Sequence, residues 1–129
     1  MRILSIDFGI KYVGLAVADS EIKIAMPFKI LKVKNKNQLF GDLKEIIRAE
    51  RVNKIVVGRP VGLRGNITNQ TKLTDDFVDS LKKQTKLPLS FFDEKMTSKL
   101  ADKMLGGKSK NHSIAATIIL QDYLNKNFK

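Results

Sequence analysis

Two apolar runs at the start of the chain are separated by only three residues, and this spacing constrains the fold more than any other feature. Residues 2–8 read RILSIDF and residues 12–18 read YVGLAVA, with Gly9, Ile10 and Lys11 between them. A gap of about three residues that contains glycine has the length of a β-hairpin loop. We therefore predict that the chain opens with two antiparallel strands.

After the hairpin, the hydrophobic pattern alternates between the periods of strands and helices. Further strands are predicted at residues 24–33, 54–57 and 88–92, and helices at 38–50, 68–85, 97–105 and 113–127. Pro27 indicates an edge strand or a bulge. Residues 59–66, with one proline and two glycines, are predicted to form a loop. This order is typical of an α/β fold whose later strands run parallel and whose sheet is covered by helices.

The composition fits one compact domain over residues 1–129, because 43% of the residues are hydrophobic and can form a core without a disulfide or metal. The chain has no cysteine and one histidine, His112. A disulfide scaffold, a thiolate zinc site and a cysteine nucleophile are therefore excluded.

Asp7 interrupts the first apolar run, which excludes a signal peptide, and no apolar stretch approaches the roughly 20 residues that span a bilayer. We expect a soluble, cytoplasmic protein.

The charge balance indicates a polyanionic partner. Lysine and arginine number 24 against 13 acidic residues, which gives a net charge of +11. Such a charge favours contact with nucleic acid, a membrane surface or the ribosome. The alternative is that these lysines and arginines only form a solvated surface and bind no polyanion.

Acidic side chains lie at the carboxyl ends of two of the predicted strands. Asp7 ends the first strand, and Asp93 and Glu94 follow the strand at 88–92. Because ligands of open α/β sheets bind outside the carboxyl ends of the strands, these carboxylates predict a Mg²⁺ or Mn²⁺ site at one edge. Two such ions can activate water for phosphodiester cleavage. The alternatives are a capping role for Asp7 and a solvated acidic pair before a helix.

Basic residues supply candidate phosphate contacts. Arg59 and Arg64 lie in the predicted loop, where Gly62 and Gly65 permit close backbone approach to a phosphate. An ordinary flexible crossover is the alternative for this loop. Lysines elsewhere are further candidates for phosphate contact, among them Lys108 and Lys110.

Four stretches of the chain resemble one family. They are IDFGIKYVGLAVAD, IVVGRPVGLRGN, FFDEKMTS and SIAATIILQDYL. They resemble motifs of the YqgF family of RNase H-like nucleases and occur in the same order as in that family. The resemblance extends over nearly the whole chain. It implies an RNase H-like fold with a five-stranded mixed sheet and helices on both faces.

The resemblance also implies a function. It indicates a nuclease dependent on Mg²⁺ or Mn²⁺ that matures the 5′ end of pre-16S ribosomal RNA, with pre-ribosomal particles as partners and a monomeric or homodimeric state. Two alternatives stay open: a Holliday junction resolvase, and a nucleic-acid-binding module with reduced catalysis. An actin-like kinase is disfavoured, because it needs a second domain to close on nucleotide.

Site residues follow from the resemblance position by position. Asp7 matches the metal ligand of the first strand, Glu94 matches the acid of the Asp-Glu-x-x-Thr motif with Asp93 beside it, and Lys11 matches the basic residue after the first glycine. Tyr12 stands where the family usually has arginine.

The largest departure from the family lies at the last helix. His112 stands where the pattern Asp-Ser-x-Ala-Ala supplies the third acidic ligand. A neutral imidazole can bind a divalent metal or accept a proton, so His112 is predicted to complete a catalytic set with Asp7 and Glu94. A capping or surface histidine in a weakened enzyme is the alternative.

Overall fold

The computed structural model describes residues 1–95 and 110–128. Five strands form one mixed sheet: β1 (Arg2–Asp7), β2 (Tyr12–Asp19), β3 (Met26–Lys32), β4 (Lys54–Val61) and β5 (Leu89–Lys95). Their spatial order is β3-β2-β1-β4-β5. The described helices are α1 (Lys36–Ala49), α2 (Asn69–Gln84) and α3 (Lys110–Asn127). The helix predicted at 97–105 lies outside the described residues.

The predicted hairpin and the parallel strands are confirmed. β1 and β2 are antiparallel, with Arg2 opposite Asp19 and Asp7 opposite Gly14. β4 runs parallel to β1, and β5 runs parallel to β4. The carboxyl ends of β1, β4 and β5 therefore meet at one edge of the sheet.

Helices cover both faces of the sheet, as predicted, and the central strand β1 is buried on both sides. Leu4 and Ile6 pack with α1 and α2 on what we call the α1/α2 face. Ile3 packs with α3 on the opposite α3 face, where the Ser5 hydroxyl donates a hydrogen bond to the Ala116 carbonyl at 2.9 Å. Because side chains alternate along a strand, the side chain of Asp7 lies on the α3 face, as those of Ile3 and Ser5 do.

Strand β4 is longer than its sequence predicts. Residues 59–61, predicted to open a loop, continue the pairing with β5 as far as Val61 opposite Lys95. The pairing of β4 with β1 stops at Val57, so the last part of β4 has one free edge. Pro60 is tolerated there because proline has no backbone N–H, and a strand edge without a partner needs no donor at that position.

The edge position of β3 is confirmed, and its pairing with β2 shifts register between Leu15 and Ala16, beside Pro27. None of the helices in the described part of the chain is long and apolar enough to cross a membrane.

A bidentate ion pair ties the end of β4 to α2. Arg59 donates from Nε and Nη2 to the two carboxylate oxygens of Asp75, each at 2.9 Å, and its guanidinium lies 5.6 Å from the centre of the Phe91 ring. The hydrogen bonds from Arg59 lower the pKa of Asp75, and the same bonds raise the pKa of Arg59. The pair helps to fix the carboxyl end of β4 against the helix that follows it.

Asp75→Asn is expected to lower the free energy of unfolding at pH 7 by roughly 1 kcal/mol, because the pair is partly exposed and its Coulomb energy is screened. The pKa of Asp75 is depressed in the folded state, so this contribution is complete above the ordinary aspartate pKa of about 3.9 and is lost as the pH falls through the lower pKa of the folded state. Urea unfolding of wild type and Asp75→Asn at pH 7 and at pH 3 measures the difference in the free energy of unfolding at each pH. Asp79→Asn, at an exposed position of the same helix, should change neither; an equal loss in both variants would contradict the assignment.

Candidate active site

The carboxyl end of β1 and the first turn of α3 bring together two residues that are 105 positions apart. The Nδ1 atom of His112 lies 3.1 Å from Oδ2 of Asp7. The side chain of Asp7 is only 13% exposed and that of His112 is 31% exposed. The two groups therefore form a partly sheltered dyad that is open to solvent on the His112 side.

The chemistry of the two groups determines which of the two atoms in this contact carries the hydrogen. An ionised carboxylate can only accept a hydrogen bond, so Nδ1 of His112 must carry the hydrogen. A neutral His112 then has its lone pair on Nε2. That atom can accept a proton or bind a metal ion, while Asp7 holds the ring in this tautomer.

The dyad requires an unusually close approach between α3 and β2. A Cβ atom on Gly14 would lie 2.0 Å from the carbonyl oxygen of His112 and 2.6 Å from the backbone nitrogen of Ser113. No side chain fits in that space. Gly14 is also the register partner of Asp7, so the glycine sets the first turn of α3 against the strand position next to the carboxylate.

Tyr12 is a neighbour of His112 that the sequence does not reveal. The centres of the two rings are 6.1 Å apart. The sequence identifies Tyr12 only as a missing positive charge, because nothing in the local pattern relates the start of β2 to the start of α3. Gly14 does carry a signal, since an isolated glycine inside an apolar strand indicates close backbone approach.

Asp93, one of the two acidic residues of β5, does not lie beside Asp7. Asp93 is 66% exposed and lies 3.9 Å from Nη1 of Arg59, on the α1/α2 face. Phe92 packs on the opposite α3 face. The placement of Asp93 does not support its predicted role as a ligand beside Asp7. Glu94 stays a predicted ligand.

The predicted phosphate contacts have different surroundings. Arg59 pairs with Asp75 through Nε and Nη2, which leaves only its Nη1 group, 3.9 Å from Asp93, outside that pair. Lys11 is exposed in the hairpin loop, and Arg64 is exposed in a turn closed by hydrogen bonds between Gly62, Gly65 and Asn66. Lys110 is the first residue of α3. Lys108 lies outside the described residues.

The donor atoms of Asp7 and His112 fit a divalent cation only in part. Asp7 supplies a hard oxygen donor, and the imidazole of His112 supplies a nitrogen donor that Mn²⁺ accepts more readily than Mg²⁺. Within the described ranges, no three His, Asp or Glu side chains are close enough together to hold a metal ion. A complete site would need a third donor, and the sequence predicts Glu94 for that role.

Comparisons with known sequences agree with this architecture. The family model described as RuvX, Holliday junction resolvase, matches residues 1–126. A protein of Maridesulfovibrio salexigens named "Putative pre-16S rRNA nuclease" is 38% identical, over 96% of this chain and 98% of its own. A protein of the same name from Dictyoglomus turgidum is 35% identical, over 97% and 94%.

Solved structures confirm the RNase H-like fold. Thermus thermophilus RuvC in complex with a Holliday junction substrate superimposes with a TM-score of 0.62 at 16% identity, over 98% of this chain and 94% of that one. The fowlpox virus Holliday junction resolvase gives a TM-score of 0.56 at 14% identity, over 98% and 99%. At these identities the likeness concerns the fold alone.

Gly14→Ala is expected to lower the free energy of unfolding by about 1–3 kcal/mol, the usual cost of overpacking, because the start of α3 must move. The same movement should lengthen the distance between His112 and Asp7. Urea unfolding measures the first effect and a crystal structure of the variant measures the second. Gly41→Ala is the matched control: its Cβ meets nothing within 4 Å, and alanine inside α1 should be neutral or stabilising. A Gly14→Ala protein as stable as wild type would contradict the steric argument.

Proposed function

This chain belongs to the RuvX family, and on that premise we propose that it is a divalent-metal-dependent nuclease that trims the 5′ end of pre-16S ribosomal RNA. In this proposal residues 1–129 act as one domain in the cytoplasm, with pre-ribosomal particles as partners. The names of the relatives from Maridesulfovibrio salexigens and Dictyoglomus turgidum support the substrate. The net charge of +11 supports a polyanion.

The contact between Asp7 and His112 is the observation that carries the proposal. It lies at the carboxyl edge of the parallel strands, where α/β sheets bind their ligands. It combines a sheltered carboxylate with an imidazole whose Nε2 atom faces away from Asp7. Neither group is needed to fill the core, since the apolar clusters on both faces of the sheet are formed by other residues.

Each residue of the site has a separate task in phosphodiester hydrolysis. Asp7 accepts the hydrogen of Nδ1 and so orients the ring of His112. Nε2 of His112 can then take the proton of an attacking water molecule. Glu94 is proposed to contribute a second carboxylate. Asp7 and Glu94 would hold Mg²⁺ or Mn²⁺, which would supply Lewis acidity and neutralise the charge of the phosphate, while Nε2 of His112 acts as the base.

Asp7→Asn is expected to reduce cleavage at least about 100-fold, since the amide keeps the shape of the side chain but removes its negative charge. The measurement is the rate of cleavage of a pre-16S rRNA 5′ fragment with Mn²⁺, together with the thermal midpoint of unfolding. Asp122→Asn, an exposed acid on α3, is the matched control and should keep the wild-type rate. A folded Asp7→Asn protein that cuts at the wild-type rate would show that the site lies elsewhere.

Holliday junction cleavage is the second candidate function, and the description of the family model favours it. Resolution needs two symmetric cuts, so this function requires a homodimer. Incubation of the same protein with the rRNA fragment and with a synthetic four-way DNA junction separates the two candidates. Faster cutting of the junction, together with a dimer in sedimentation, would favour resolution. Binding of both substrates without cleavage would favour the nucleic-acid-binding module.

His112→Asp is expected to make protein stability depend on Mg²⁺. Two carboxylates at the separation of Asp7 and His112 repel each other unless a cation lies between them. At a Mg²⁺ concentration about ten times the dissociation constant, the gain is roughly 1.4 kcal/mol, or about 4 °C in the thermal midpoint. Wild type and the neutral variant His112→Asn should gain much less. Equal gains in all three proteins would mean that position 112 does not face the metal site.

A further inference from the structure

A second concave site lies at the same sheet edge as Asp7, but on the α1/α2 face. It is a cleft of about 640 Å³ between the first half of α1 and the middle of α2, which we call the aromatic cleft. It includes Phe8, the residue that follows Asp7 in the chain. Because side chains alternate, Asp7 faces the candidate active site and Phe8 faces the cleft. The two sites are therefore joined by one peptide bond.

The floor of the cleft is aromatic. The ring of Phe8 is stacked on Phe77 with 4.4 Å between centroids, and Phe77 is stacked on Phe40 with 5.7 Å. Phe40 and Phe77 are buried, whereas Phe8 is only half-buried. Ile10 and Leu73 line the opening and are 63% and 38% exposed. The protein thus leaves apolar surface open to water beside its candidate active site.

The charges around the aromatic cleft are separated by sign. Lys36 begins α1 and lines the cleft at the sheet edge, and Lys11 is held nearby because its carbonyl accepts a hydrogen bond from Val33, another lining residue. Asp76 and Asp79 line the cleft from α2, about two turns or more beyond the start of that helix. A ligand that fits this arrangement carries negative charge toward the edge and hydrogen-bond donors toward α2.

A nucleotide has this polarity. Its phosphate is the anion, and its base offers a flat apolar face for stacking on an aromatic ring. The carboxylates of Asp76 and Asp79 only accept hydrogen bonds, so the base edge that faces them must donate. The amino groups of adenine, cytosine and guanine donate, whereas uracil presents two carbonyl oxygens on either side of one N–H.

We propose that the aromatic cleft binds one unstacked, amino-bearing base of the substrate strand, with its ring on Phe8 and its amino group toward Asp76 and Asp79. This inference rests on the proposed nuclease function and adds a specificity site to it. The phosphate of that nucleotide then lies at the sheet edge shared with Asp7. The nuclease would prefer sites where adenine, cytosine or guanine is unpaired next to the cleaved bond.

Binding of free nucleotides tests the proposal without any cleavage. Wild-type protein in EDTA is titrated with adenosine monophosphate and with uridine monophosphate while the phenylalanine ring signals are followed by NMR. We expect adenosine monophosphate to shift the ring signals of Phe8 and to bind at least about five-fold more tightly than uridine monophosphate. The ring of Phe28, on β3, should not move. No shift at Phe8 with either nucleotide would overturn the proposal.

Two variants test the chemistry of the cleft. Replacing Asp76 and Asp79 together by asparagine supplies donors for carbonyl oxygens, so the preference for adenosine monophosphate should fall to less than two-fold. Leu73→Glu should weaken binding of a short adenine-containing RNA at least about five-fold. Ile22→Glu is its matched control, because it adds the same charge at an exposed isoleucine after β2. Equal weakening by both variants would contradict a base in the cleft.

The outcomes separate this inference from the proposed function. If the cleft variants bind and cut RNA like wild type while Asp7→Asn does not cut, the cleft inference fails and the nuclease proposal stands. If wild type neither binds nor cuts RNA or DNA, the proposed function fails first. If a lysine-rich amphipathic peptide shifts Phe8 and neither nucleotide does, the cleft is a protein-docking site, and the inference is overturned.

Discussion

The candidate site depends on a steric constraint, the absence of a side chain at Gly14. The missing Cβ lets the backbone of His112 and Ser113 lie directly on β2. Once the helix is seated there, the imidazole comes within hydrogen-bonding distance of Asp7, the register partner of Gly14. The position of α3, the tautomer of His112 and the orientation of its free nitrogen all follow from this contact.

Local signals were enough to predict the sheet and one residue of the dyad. The three-residue gap around Gly9 defined the hairpin, and Pro27 marked the edge strand, because turn length and missing donors act within a few residues. Asp7 stood out as a charge at the end of an apolar run. Its partner was identified by the resemblance to the YqgF family, since no local pattern relates position 7 to position 112.

The failures of sequence reasoning involve contacts between distant elements. Arg59 was predicted to contact phosphate, and nothing near it in the sequence predicts that Asp75, in the next helix, accepts hydrogen bonds from its Nε and Nη2 atoms. The length of β4 was underestimated because its final residues pair with a strand that comes much later in the chain. The face on which Asp93 lies follows from strand alternation with Phe92, once the strand was known to extend to Lys95.

The place of α3 in the chain has a consequence for the timing of biosynthesis. Asp7 is made 105 residues before His112, the residue of α3 whose ring it orients. Chains are synthesised from the N-terminus, at about 5–20 residues per second. A nascent chain therefore carries the hairpin and its carboxylate without the imidazole for several seconds. The dyad can form only after residue 112 has left the ribosome, so a fragment that ends before α3 lacks it.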